Sequence, residues 1–319
     1  MGIGALKRPH GPSSETNSSF LPNFVWIWHR LGTFRMSRNP PDVAQCSLRS
    51  RKSPSTLLGT WIAVVAAGVL VHKPDTLRII NMQPLIDLRI KLFADGADQS
   101  TMLELYRNRW IEGFTTNPTL MRKAGVSDYQ AFARDILARI PDRPISFEVF
   151  ADSFQEMERQ ARKIAQWGDN VYVKIPITNT QGESSVNLIC RLAHSGVKVN
   201  ATALLALDQV RDVAAVLANG PSCYVSVFAG RIADTGRDPV PVMAAAVEML
   251  RPYPNIELIW ASPRELLNVF QADAIGCHII TVTSDTLKKL TLVGKDLYEY
   301  SRETVQMFYD DASRSAYVL

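Results

Sequence analysis

The chain is poor in the residues that build metal sites and disulfide frameworks. Its 319 residues include only 4 Cys and 5 His. Cys46, Cys190, Cys223 and Cys277 fall at no paired spacing, which argues against a zinc motif and a disulfide scaffold and fits a reducing compartment. From Met82 onward the only histidines are His194, inside a helical stretch, and His278, at the start of an apolar one. Both positions are expected to be structural, so neither a metal nor a cofactor is expected. No G-x-G-x-x-G turn follows a strand-like run, so the dinucleotide-binding open sheet lacks its fingerprint. The apolar run Leu57–Val71 has 15 residues, short of the roughly 20 that span a bilayer, and it lies too far from Met1 for an ordinary signal peptide. Membrane attachment is therefore not expected. Positive charge is scarce where it would matter for nucleic acid. Residues 1–81 hold 10 Lys/Arg against 3 Asp/Glu, and the remainder holds 25 against 28. A net charge of +4 thus reflects the N-terminal stretch, and the rest carries no basic footprint for a nucleic-acid partner.

Residues 1–81 are rich in Pro, Ser, Arg and Trp and show no helical or strand period. They are expected to be a disordered or spurious extension, with Met82 as the natural start. Residues 82–319 are expected to form the folded domain. There, short apolar strands alternate with amphipathic helices. Strands are expected at Leu88–Ala94, Gly113–Thr116, Ile145–Phe150, Val171–Ile177, Val197–Thr202, Cys223–Phe228, Ile256–Trp260 and His278–Val282. Helices are expected at Ser100–Trp110, after Asn117-Pro118, at Tyr129–Ile140, on the stripe Phe154, Met157, Ala161, Ile164, and at Ser184–His194, Leu207–Leu217, Val240–Leu250 and Arg264–Ala274. A helical tail follows from about Leu287. Eight strands, each followed by a helix, in about 240 residues predict an α/β fold of the (β/α)8 TIM-barrel type with a C-terminal helical tail.

One strand departs from its surroundings. Val171-Tyr172-Val173-Lys174-Ile175-Pro176-Ile177 is an apolar, β-branched run with a lysine at its centre. Buried lysines are rare unless paired or used. Burial disfavours an ammonium and favours a neutral amine, which is what a Schiff-base nucleophile requires. An edge strand whose lysine reaches solvent is the ordinary alternative. Polar residues at the other strand ends favour the first reading, because a barrel of this kind works at that face. Asp95 ends the first strand, and Thr115, Thr116 and Asn117 end the second. Glu148 lies near the end of the third, Asn200 and Thr202 end the fifth, and Ser226 and Arg231 flank the end of the sixth. Ser262 and Arg264 follow the seventh. Singly, each has an ordinary explanation as a cap, a turn or a solvated charge. Together they describe a pocket with an amine, two carboxylates and two guanidiniums. A deprotonated Lys174 would attack a ketone to give an iminium, an electron sink for carbon–carbon cleavage. Asp95 and Glu148 are the candidates for the proton transfers. Arg231 and Arg264, with Ser226 and Ser262, are donors suited to phosphate, so a sugar phosphate is the expected substrate.

These residues resemble the transaldolase family. Gly113-Phe114-Thr115-Thr116-Asn117-Pro118-Thr119-Leu120 resembles its TTNPS turn, and VYVKIPIT at Val171–Thr178 resembles the segment around its Schiff-base lysine. Val199–Thr202, Ser226–Ile232 and Ala261–Arg264 resemble three further segments in order. The resemblance runs from Met82 to the C-terminus and spares residues 1–81. It implies a compact-subfamily barrel enzyme, related to fructose-6-phosphate aldolase, that moves a dihydroxyacetone unit from sedoheptulose 7-phosphate or fructose 6-phosphate to an aldose phosphate in the pentose phosphate pathway. It further implies a cytoplasmic protein that assembles with copies of itself. By the same resemblance Lys174 is the nucleophile and Asp95 an acid/base near the donor hydroxyls, and Glu148 and Thr202 hold a proton-relaying water. Asn117 and Asn200 hydrogen-bond the dihydroxyacetone moiety, Ser226 lies close to its hydroxyls or the phosphate, and Arg231 and Arg264 bind the phosphate; Thr116, Phe228 and Ser262 are further expected substrate-binding residues. Glu148 and Phe228 stand where the related aldolases usually carry Gln and Tyr, which favours transfer over free cleavage. Thr119, Ala229 and Pro263 depart from the family's usual residues and bear on the acceptor and the phosphate. Two alternatives stay open: a fructose-6-phosphate aldolase or a relative for a specialised sugar, and a catalytically silent barrel that serves as a binding module.

Overall fold

Eight parallel strands of four to six residues close on one another in sequence order, β1 through β8 and back to β1. They are β1 (Lys91–Asp95), β2 (Ile111–Thr115), β3 (Ile145–Glu148), β4 (Val171–Pro176), β5 (Val199–Leu204), β6 (Cys223–Val227), β7 (Ile256–Trp260) and β8 (Ile279–Thr283). The computed structural model describes residues 88–315, 317 and 318; what is expected of residues 1–81 lies outside them. The outer layer comprises α1 (Gln99–Tyr106), α2 (Pro118–Lys123), α3 (Tyr129–Arg139), α4 (Phe154–Ala165), α5 (Val186–His194), α6 (Leu207–Leu217), α7 (Ala229–Asp234), α8 (Val240–Leu250) and α9 (Leu267–Ala274). The tail is α10 (Ser284–Lys288), a 3-10 turn at Lys289–Leu292, and α11 (Leu297–Ser315).

The helices start where side chains satisfy free backbone N–H groups. Asp98 accepts from Thr101 N at 2.8 Å, Asn117 from Leu120 N at 3.0 Å and Asp128 from Ala131 N at 2.9 Å. Pro118 follows Asn117 at a first-turn position, where its missing N–H costs nothing. In α4 the stripe Met157, Ala161 and Ile164 is buried against the sheet; truncating Met157 to Ala would cost about 2–5 kcal/mol.

Strand alternation creates two cores. Leu92, Phe114, Phe147, Val173, Ala201, Val225, Trp260 and Ile280 face the helices and merge with their buried stripes. Phe93, Tyr172, Tyr224, Ile259 and Ile279 form a separate cluster inside the barrel. Tyr172 and Tyr224 stack with centroids 3.9 Å apart, and Phe93 meets Tyr224 edge-on at 5.8 Å. Gly113 makes room for this plug, since a Cβ there would sit 2.5 Å from the Phe93 ring. The plug fills the N-terminal half of the barrel, so the next inward residue on each strand opens toward the other end.

Several element ends differ from the sequence expectation for local reasons. Arg89 and Ile90 donate their N–H groups to Asp273 Oδ1, at 2.8 and 3.0 Å, instead of joining β1. β3 stops at Glu148 because Phe150 and Ala151 N–H donate to Gln160 Oε1 at 2.9 and 3.1 Å. β5 continues to Leu204 past a register shift, with Ala203 at φ 63°. The tail is not continuous: Gly294, at φ 74°, lies in the break before α11.

Candidate active site

Most inward positions above the aromatic plug are polar, and they surround a cavity of about 410 Å³. Asp95, Asn117, Glu148, Lys174, Thr202, Ser226, Phe228, Arg231 and Ser262 line it. Lys174 is only 6% exposed, so the edge-strand reading does not hold. Its neighbour in the β3–β4 register is Glu148, and the Nζ–Oε2 distance is 3.0 Å. Lys174 Nζ also donates to the Thr116 carbonyl at 3.0 Å. An amine, a carboxylate within proton-transfer distance and a carbonyl acceptor therefore converge at one point.

Asp95 ends β1 with its own chain of donors. Thr115 Oγ1 donates to Asp95 Oδ1 at 2.7 Å. That use of its proton makes Thr281 Oγ1, 2.5 Å away, the donor of the next link. Burial lifts the Asp95 carboxyl above the ordinary carboxylate range; the Lys174 charge and the Thr115 hydrogen bond pull it back only in part.

Asn200 and Thr116 do not line the cavity and act behind it. Asn200 is fully buried, donating to Ser146 Oγ at 3.0 Å and accepting from Ser226 Oγ at 2.7 Å. Thr116 Oγ1 donates to the Ser146 carbonyl at 2.8 Å. Thr202 Oγ1 is buried with no hydrogen-bond partner among the described residues, and Thr202 faces the cavity. A buried hydroxyl in that state is poised for a substrate or water atom.

The two arginines part company. The Arg231 guanidinium lies 5.7 Å from the Phe228 ring centroid, on the cavity wall beside Ser262. Arg264 does not line the cavity; its Nε donates to Asp234 Oδ1 at 2.8 Å, and a second bond joins Nη2 to Oδ2. Between them the turns touch. A Cβ on Gly230 would fall 1.5 Å from the Ser262 carbonyl oxygen, and Ser262 takes φ 60°, a conformation that costs a non-glycine residue roughly 1 kcal/mol. A second, mainly apolar cavity of about 310 Å³ lies on the far side of Asp95, walled by Met102, Leu105, Phe114 and Leu120. Its walls include Lys123 but not Lys174 or Glu148.

Residues 92–317 match the model of the Transaldolase/Fructose-6-phosphate aldolase family. The chain belongs to that family. Curated relatives agree. A probable transaldolase of Dehalococcoides mccartyi is 33% identical over 202 residues, covering 63% of this chain and 90% of that protein. One from Methanococcus maripaludis is 33% identical over 202 residues, covering 63% and 89%. A third, from Caldicellulosiruptor saccharolyticus, is 35% identical over 204 residues, covering 63% and 89%. Membership makes the chain an enzyme of aldolase type with the barrel of its family.

The structure adds residues that strand-end inspection passed over. Ser146 and Thr281 both point into the barrel, and both carry a period-two signal: Ser146 is two before Glu148, and Thr281 lies two after inward-facing Ile279. Asp234 gave no such signal, because its role depends on an arginine 30 residues away.

Proposed function

We propose that this protein is a transaldolase that carries a dihydroxyacetone unit on Lys174, drawing it from fructose 6-phosphate or sedoheptulose 7-phosphate and delivering it to an aldose phosphate. The observation that carries the reading is the buried Lys174 amine, 3.0 Å from the Glu148 carboxylate and 3.0 Å from the Thr116 carbonyl, at the floor of a polar cavity.

The chemistry follows from that arrangement. Glu148 takes a proton from Lys174, and the free amine adds to the C2 ketone to give a carbinolamine. Loss of water, with the proton returned by Glu148 directly or through a water held by Thr202, leaves an iminium. Asp95 then takes the proton of the C4 hydroxyl, the C3–C4 bond breaks, and its electron pair passes into the iminium to form an enamine. The aldose phosphate departs. The enamine adds to an incoming aldehyde, whose oxygen takes the Asp95 proton, and hydrolysis of the new iminium frees Lys174. Asn117 and Ser226 orient the three-carbon unit, Asn200 acts from behind by holding Ser226, and Arg231 with Ser262 holds the phosphate. Arg264 belongs to the same phosphate end in this reading, acting from its pair with Asp234. Glu148 and Phe228 support transfer over free aldol cleavage.

The reading extends to a cytoplasmic role in the pentose phosphate pathway and to assembly with like chains. Exposed Tyr298, Val305, Phe308 and Tyr309 on α11 support assembly, since an apolar helix face of that kind calls for cover. The deciding experiment is borohydride trapping with fructose 6-phosphate, followed by peptide mapping. A dihydroxyacetone adduct on Lys174, absent in a folded Lys174→Ala variant, is the expected result, together with turnover that depends on an aldose phosphate acceptor. Folded protein with no adduct on any lysine would overturn the Schiff-base reading. Glyceraldehyde 3-phosphate released without acceptor over many turnovers, beyond one equivalent per site, would replace transfer with aldol cleavage.

A further inference from the structure

The β2–β3 ladder ends early, and a tyrosine takes over its last two rungs. Phe114 N–H donates to the Pro144 carbonyl at 2.9 Å and Thr116 N–H to the Ser146 carbonyl at 3.1 Å. Parallel rungs step by two residues. The next would join Glu148 N–H to the Thr116 carbonyl, and the one after would need an N–H at position 118 for the Glu148 carbonyl. Pro118 has no N–H.

Both backbone groups of Glu148 turn instead to one phenol. Glu148 N–H donates to Tyr129 Oη at 2.9 Å, and the Tyr129 hydroxyl donates back to the Glu148 carbonyl at 3.0 Å. A hydroxyl has one proton and acceptor lone pairs, so a single group satisfies both. The Thr116 carbonyl, relieved of its ladder partner, accepts Lys174 Nζ at 3.0 Å. The phenol ring is fixed by edge-to-face contacts with Phe147, Phe150 and Trp167, at 6.2, 5.8 and 5.6 Å between centroids.

We propose that Tyr129 is a positioning residue: by completing the backbone hydrogen bonds of Glu148 in place of β2, it frees the Thr116 carbonyl to hold the Lys174 amine and fixes the Glu148 carboxylate opposite it. Without the hydroxyl, a part-buried N–H and carbonyl lose their partners. The N–H then competes with Lys174 for Thr116, and the end of β3 shifts. This role rests on the Schiff-base reading of Lys174.

Tyr129→Phe is the test, since it keeps the ring and its aromatic contacts and removes only the hydroxyl. Loss of one positioning hydrogen bond is expected to lower kcat about five- to tenfold, with KM for fructose 6-phosphate unchanged and the rate of borohydride trapping on Lys174 reduced in step. A purely structural tyrosine would lower the melting temperature and leave kcat and the trapping rate of folded enzyme as they were, and that result overturns the proposal. A wild-type enzyme that forms no adduct would overturn the Schiff-base reading and the positioning role together. A wild-type enzyme that traps, beside a variant with unaltered kcat, would overturn the positioning role alone.

Discussion

Replacing Asp95 with Asn tests whether this site is built at the expense of stability. The hydrogen bond from Thr115 Oγ1, at 2.7 Å, survives the change, because an amide oxygen accepts the same proton. Shape survives as well, so the difference is charge. Burial raises the Asp95 carboxyl above its ordinary range, the nearby Glu148 charge adds to that push, and Lys174 and Thr115 offset part of it. A folded-state value raised above the unfolded one favours the fold fully only while the carboxyl is protonated, below about pH 4. The contribution is lost as pH rises through the raised value. Above it, each unit of upward shift costs the fold ~1.4 kcal/mol. Asn carries no such cost. Urea unfolding should therefore find Asp95→Asn more stable than the parent at about pH 8, with the gap shrinking toward about pH 4. Turnover should fall by about 10²–10⁴ with loss of the proton acceptor. A variant destabilised equally at both pH values would refute the claim that desolvation dominates at Asp95.

Glu148→Gln leaves the Lys174 ammonium, whose side chain is 7% exposed, facing a neutral partner. It should lose about 2–3 kcal/mol in urea unfolding and about 10²–10⁴ in turnover; unchanged kinetics would refute its proton-relay role. Arg231→Gln should raise KM for a phosphorylated donor about 10- to 100-fold, the worth of a charge-assisted contact, and Arg264→Gln should raise it less, because Arg264 is held by Asp234 outside the cavity wall. Equal effects in steady-state kinetics would place both guanidiniums on the phosphate. Gly230→Ala drives a Cβ into the Ser262 carbonyl, so a loss of at least about 3 kcal/mol is expected, and a variant with parental stability and KM would show that the turn yields freely.

Much of the barrel was legible in the chain because strand and helix periods are local. Lys174 stood out within an apolar run that alternates Val171, Val173 and Ile175 toward the helices with Tyr172 and Lys174 toward the barrel axis. The same alternation carried Asp95, Glu148, Thr202 and Ser226 to the cavity. Element ends were less legible, since Gln160 and Asp273 cap backbone groups that a period alone would assign to strands. Arg264 illustrates the same limit at the site. Position after β7 suggested a phosphate ligand, and only the fold brings Asp234 to its guanidinium.

The sequence by itself determined which residues face inward, that eight such strands alternate with helices, and that a lysine lies among buried aliphatic residues. Those properties depend on spacing along a few residues, and hydrophobic burial enforces them wherever the strand is placed. Tertiary structure alone decided the partners. Thr115 meets Thr281 across 166 residues when β8 closes on β1, and Lys174 reaches a carbonyl 58 residues away because Tyr129 has taken the hydrogen bond that carbonyl would otherwise receive. Hydrogen bonds are directional and saturable, so which donor meets which acceptor is settled only once the barrel closes and every strand has its register.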